Sequence, residues 1–210
     1  MASRADVSFY RDLLHKQVVD SEGHLVGAIL DLAAGPAEPT PGAPAIQRLV
    51  IRPHSRRHTV SLGPGGSLVL PWEAVEALEP RRIRLRHARA ELLHSPLQAG
   101  EILLRKHIMD QQIVDRSGVK LQRVNDIAMG FADGTLQLWG MDTGMRGFLT
   151  RLAYGWGLLG LLRPLHDRLG QHLIHWDFVE RVEPVRGTIR LRLSRDEVRS
   201  AIRQVPAPAD

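Results

Sequence analysis

Ten histidines and a scatter of carboxylates are the residues of this chain that could do chemistry, and their spacing argues against most of it. Two histidine pairs, His54 with His58 and His172 with His175, have the helical or turn spacing that lets two imidazoles share an ion. No carboxylate lies inside either pair, and the first sits in an Arg-rich stretch that repels cations, so no metal site is expected. Gly63, Gly65 and Gly66 are followed by neither Lys-Ser/Thr nor a helix start, which reads as a hairpin turn and not a phosphate cradle. Asp20, Asp31, Asp115 and Asp126 fall at turn and strand-end positions, where carboxylates cap backbone amides, and no pair of them is set up for acid–base work. With no cysteine in the chain, thiol nucleophiles, disulfides and Cys-ligated metals are excluded. The expectation is a protein without catalytic residues, metal or cofactor, that is, not an enzyme.

What remains is chemistry of contact. Between residues 147 and 170, Leu149, Leu152, Ala153, Trp156, Leu159 and Leu162 recur at helical spacing, loosened by Gly155, Gly157 and Gly160 and broken by Pro164. An amphipathic helix or helical pair is expected there. It either packs on the rest of the chain or serves as a partner-docking or membrane-interface element. Asp142, Arg146, Leu149, Arg151, Trp156, Leu159 and Leu162 are therefore the candidate partner-binding residues, with Asp142, Arg146 and Arg151 a charge network leading into the segment or contacts to the partner. The stretch contains Arg151 and Arg163 and falls short of the roughly 20 apolar residues that span a bilayer. The start MASRADVSFYRD has no uninterrupted apolar run, so a cytoplasmic protein is expected, with a place peripheral to the inner face of the membrane as the alternative. The formal charge of +5 rests on Arg residues that alternate with apolar ones, which reads first as solvated strand faces and only second as a nucleic-acid or anionic-membrane surface.

The elements that position these residues come in two copies. Gln17 to Leu32 aligns without gaps on Gln112 to Ile127 at a constant offset of 95, with five of sixteen residues identical. Trp72-Glu-Ala-Val75-Glu-Ala-Leu78-Glu-Pro80 then matches Trp176-Asp-Phe-Val179-Glu-Arg-Val182-Glu-Pro184 at offset 104. Each copy opens with a hairpin, Val-Val-Asp20-x-x-Gly23 or Ile-Val-Asp115-x-x-Gly118, whose glycine supplies positive φ. A third strand (residues 45–51 and 135–141), a Trp-x-x-Val turn that plugs the open end, and a last strand from Arg82 or Thr188 complete the pattern. The copies differ between strand and tryptophan, where 48 residues separate Ile127 from Trp176 against 39 between Leu32 and Trp72. Ser194 and Glu197 form a capping box for a short helix through Ile202, with a disordered tail from Val205 to Asp210.

This order of hairpin, strand-closing aspartate, central strand and Trp-x-x-Val block resembles the PRC-barrel family, six-stranded β-barrels found in the H subunit of photosynthetic reaction centres and in the ribosome-maturation factor RimM. The second copy, through Met141-Asp142-Thr-Gly-Met-Arg146-Gly-Phe-Leu149-Thr-Arg151-Leu152, is similar to the paired PRC-barrels at the N-terminus of bacterial MgtE-like, CBS-containing proteins. The resemblance implies a mostly β fold of two tandem small PRC-type barrels with short helices and one helical insertion. The first barrel would span 7–87, a helical connection 88–106, the second barrel 107–193 with its insertion 147–170, and the terminal helix and tail 194–210. It further implies a non-enzymatic binding or regulatory adaptor with a protein partner, linked to divalent-cation (magnesium) transport and able to associate with a membrane transporter. The rival expectations are an RNA or ribosome-assembly adaptor of the RimM kind and a membrane-complex assembly factor.

Overall fold

Short apolar runs separated by glycine turns become strands in the computed structural model, which describes residues 7–35, 42–54, 62, 64–132, 134–144 and 171–205. In chain order these are β1 (Val7–Ser8), a wide helical turn Phe9–Leu13, β2 (Gln17–Val19), β3 (Leu25–Gly35), β4 (Ala45–Pro53), β5 (Leu68–Pro71), a 3-10 turn Trp72–Ala74, β6 (Val75–Leu78) and β7 (Arg82–Leu85). A 3-10 turn Arg89–Glu91, β8 (Ile102–Leu103) and α1 (Leu104–His107) lead into β9 (Gln112–Val114), β10 (Lys120–Arg123), β11 (Asp126–Ala132) and β12 (Thr135–Asp142). After the segment that follows Gly144 come β13 (Gln171–His175), the 3-10 turn Trp176–Phe178, β14 (Val179–Glu183), β15 (Thr188–Leu191), α2 (Arg195–Ala201) and β16 (Arg203–Val205). The protein is mostly β, with one large curled half-barrel sheet and a small four-stranded sheet.

The duplication is written in the pairing. The first copy runs β6-β7-β2-β3-β4-β5, and the second runs β14-β15-β9-β10 in the small sheet and β11-β12-β13 in the large one. In both, the hairpin strand lies parallel to the last strand, Gln17 beside Arg82 and Gln112 beside Thr188. Gly23 and Gly118 hold φ of 87° and 86° in the two hairpin turns, a conformation that a Cβ would strain. Even the bulges correspond: Ala33 faces Arg48 and Ala34 faces Ile46, skipping Gln47, while Ala128 faces Gly140 and Met129 faces Leu138, skipping Trp139. The copies meet where β4 and β12 pair antiparallel at Ala45 and Gln137, residues that hold the same place in their own copies, opposite Gly35 and Gly130.

The repeat extends further toward the N-terminus than identity suggests, and there the copies exchange segments. Val7 and Ser8 pair with Met129 and Ala128 of the second copy, and the equivalent Ile102 and Leu103 pair with Ala34 and Ala33 of the first. The helical turn after each strand follows it across, Phe9–Leu13 packing on β11 and α1 on β3. Residues 7–13 thus complete the second copy, and residues 102–107 the first. Phe9, Leu13, Leu104 and Ile108 are at most 1% exposed in a core that is continuous through both copies. Each large side chain so buried contributes roughly 1.5–3 kcal/mol.

The connection 88–106 is less helical than expected: apart from Arg89–Glu91, β8 and the start of α1 it has no regular structure. An ion pair fixes it instead, Arg48 of β4 donating from Nε to Glu101 at 2.8 Å and from its guanidinium to Ser95 Oγ. Burial of both partners is what such a fixture needs, since an exposed pair contributes little. The capping box at Ser194 and Glu197 forms, with Ile202 as the residue that ends the helix. Val205, expected to begin a disordered tail, instead pairs with Gln171 in β16 because β13 offers it an open edge; the remaining tail residues lie outside the described ones.

If the exchange holds the copies together, Phe9→Ala should cost about 3–5 kcal/mol, and deleting residues 1–13 should unprotect the amides of β11, a strand more than a hundred residues away. Hydrogen exchange that is unchanged at Ile127–Phe131 after the deletion would show the segment to be dispensable.

Candidate functional sites

The carboxylates expected to cap backbone amides do so, in matched pairs. Asp20 Oδ1 accepts from Glu22 and His24 amides at 3.0 and 2.8 Å, and Asp115 Oδ1 accepts from those of Ser117 and Val119, both at 2.9 Å. Burial pushes the Asp20 carboxyl up, but the amides of His24, Arg89 and Glu22 outweigh it and hold the group below the usual range. Asp20, Glu22 and His24 lie close enough together to suggest a cation site. The buried member of the three already points its oxygens at backbone N–H groups, so this is a turn and not a ligand set.

Asp31 and Asp126 do more than end a strand: Asp31 lies inside β3, and Asp126 opens β11. Asp31 accepts from the amides of Arg105 at 2.7 Å and Lys106 at 3.2 Å, at the exchanged helix of the second copy, and from Leu32 at 2.8 Å. Asp126 reciprocates, accepting from the amide of Tyr10 at 3.0 Å, from Ser8 Oγ and from the amide of Ile127 at 2.7 Å. Tyr10 and Arg105 are themselves equivalent at offset 95. Burial outweighs these bonds and pushes Asp31 up to about 6; Asp126 is raised by the same cause.

Of the candidate partner-binding residues, Asp142 is placed and is buried, 4% exposed. Its Oδ1 accepts from the amide of Gly144 at 2.7 Å, closing the turn at the end of β12. Arg146, Leu149, Arg151, Trp156, Leu159 and Leu162 lie outside the described residues, as does the helical insertion 147–170. Nearby, Asn125 Nδ2 donates to the carbonyls of Thr143 and Gly144 at 3.2 and 3.0 Å, fixing where the chain departs. His172 and His175 share strand β13 at a spacing of three, which turns their side chains to opposite faces and separates them as ligands. Of the other histidine pair, His58 lies outside the described residues.

Trp72 and Trp176 open equivalent 3-10 turns and are buried, 9% and 3% exposed, as architecture and not as ligand platforms. The Trp72 turn also walls a cleft of about 370 Å³ with Phe131 and Thr135 from the β11–β12 hairpin. The contacts that the sequence reading missed are those between copies. A search for apolar residues at offset 95 upstream of Gln17 would have found Val7 with Ile102, Phe9 with Leu104 and Leu13 with Ile108.

No protein-family model matches this chain, and no curated protein matches it.

An aspartate raised to about 6 in the folded chain from an ordinary 3.8 takes up a proton on folding between those values. Its contribution to stability is therefore smallest above about pH 6 and grows as the pH falls toward 4. His15 and His107, both pushed down by burial, act in the opposite direction. The difference between wild type and Asp31→Asn isolates the carboxyl: going from pH 7.5 to 5, wild type should gain stability relative to the variant in urea melts. Parallel pH profiles would assign Asp31 an ordinary pKa.

Proposed function

We propose that the chain is a non-enzymatic adaptor built from two PRC-type barrels, holding two related surfaces in one fixed orientation for a protein partner. The observation that carries this reading is the reciprocal exchange of residues 7–13 and 102–107, anchored at Asp126 and Asp31. Mutual anchoring of this kind gives a rigid two-faced body, which suits a scaffold. The strand order shared by the copies, six strands in the first and the same six in the second with β3 split into β10 and β11, each with its Trp turn before the last two strands, fits the barrel that the sequence resembles. The described buried aspartates bond to backbone amides, which fits a structural role for them. The link to divalent-cation transport, and with it a place at the inner face of the membrane, rests on the resemblance of the second copy's Gln112 to Ile127 and Met141 to Leu152 motifs to MgtE-like proteins.

The tagged protein purified from its own organism under mild detergent should bring down a membrane protein of divalent-cation transport in stoichiometric yield. Asp126→Ala, which unclamps the copies, should lower that yield at least tenfold while leaving soluble protein. Ribosomal proteins or ribosomal RNA in the eluate, retained against salt washes, would establish the RimM-like alternative instead.

A further inference from the structure

The outer face of the small sheet is where the second copy departs from the first in charge. Its central row crosses all four strands in register: Arg181 on β14 lies beside Arg190 on β15, then Val114 on β9, then Lys120 on β10. In the next row Arg123 pairs with Gln112, which pairs with Thr188 and through it with Glu183. Residues so paired share a face, and Ile113, Ile189 and Leu191, all fully buried, fix which face points inward. Arg116 and Arg186 add exposed cations from the two turns that rim this sheet. Glu183 lies 3.8 Å from Arg190 and 3.7 Å from Arg186, and Glu180 is the other carboxylate on β14. Lys120, Arg123 and Arg181 are exposed and form no ion pair among the described residues.

The first copy holds Leu25, Ala28 and Ala77 at the places of Lys120, Arg123 and Arg181. Its one matching cation, Arg84, is tied to Glu79 at 2.8 Å. The fold therefore does not require these charges.

We propose that this face binds an anionic membrane surface, the headgroups of acidic phospholipids. Strands about 4.8 Å apart spread the cations over a plane instead of along a file, which matches a field of headgroups better than a single phosphate backbone. The two rows across the sheet include no aromatic ring, and stacking on such rings is the usual means of holding single-stranded nucleic acid. The assignment does not depend on the transport partner proposed above.

The test is sedimentation of the full chain with vesicles of phosphatidylcholine containing 30% phosphatidylserine, as the probe composition, at about 0.1 M salt. Lys120→Leu, Arg123→Ala and Arg181→Ala, which install the first copy's residues, should together weaken binding about 100-fold, taking each cation near the surface as worth about fivefold. The same three positions changed to Gln should do the same, and an unchanged melting temperature shows that either variant is folded. Arg82→Ala and Arg86→Ala on the first copy should change binding less than twofold. The proposal is overturned by vesicle binding equal in the triple variant and the parent, or by none in the parent. It is also overturned if binding is lost only on removal of residues 147–170, or if a single-stranded RNA binds more tightly than the vesicles and is released by the triple variant.

Discussion

Each copy keeps a buried carboxylate whose hydrogen-bond donors belong to the other. Asp31 without the amides of Arg105 and Lys106, or Asp126 without that of Tyr10 and the hydroxyl of Ser8, would be a desolvated charge with one local N–H to face. A group left that way costs more than a satisfied hydrogen bond contributes, so the arrangement penalises every other docking of the copies more than it rewards this one. Burial lifts Asp31 to about 6 in spite of three amide donors, so the clamp holds its charge at a cost in stability that the apolar residues around it offset. Phe9 and Leu13 on one side, and Leu104 and Ile108 on the other, supply that offset, and they arrive on the same exchanged segments as the amides do. Orientation and stability of the pair are therefore one problem with one solution, used twice.

Most of the local architecture was legible because its causes are local. Gly23 and Gly118 need positive φ, Asp20 and Asp115 need to cap the amides that the turn exposes, and Ser194 with Glu197 closes a helix start; each of these is decided within five residues. The exchange was not legible because it is decided between residues roughly 70 positions apart on one side and 120 on the other, through segments with no identical residues. The pairing of Ser8 with Ala128 is a backbone interaction, indifferent to side-chain identity, and leaves only matching burial as its trace. The reading of Asp31 as a strand end failed for the same reason: its partners are amides at 105 and 106, and a carboxylate that caps a helix across an interface has the same local sequence as one that caps a turn. The strand β16 was missed because the edge it joins, β13, lies beyond the most divergent segment of the chain.

The asymmetry between the copies is the other half of the structure. Arg48, bonded to Glu101 and Ser95, has Gly140 as its counterpart, where a Cβ would come within 2.5 Å of the Ile174 carbonyl. One copy uses that place to pin the connection, and the other to let two strands approach. Neither choice disturbs the shared register, because the bulges at Gln47 and Trp139 reset it locally in both.

Covalent fusion is what makes such divergence possible. Had the same exchange joined two identical chains, any residue placed on one outer face would appear on both, and the isologous contact at Ala45 and Gln137 would be forced to suit itself. In a single chain, Leu25, Ala28 and Ala77 could remain uncharged while Lys120, Arg123 and Arg181 accumulated on the other side, with the clamp between the copies unchanged. A body of this kind has one face whose Lys120, Arg123 and Arg181 form no ion pair among the described residues, held in a fixed relation to one whose Arg82 and Arg84 are both tied to Glu79. The rigidity that costs two buried carboxylates is then what converts a duplication into an oriented object, since a flexible pair would present both faces at every angle.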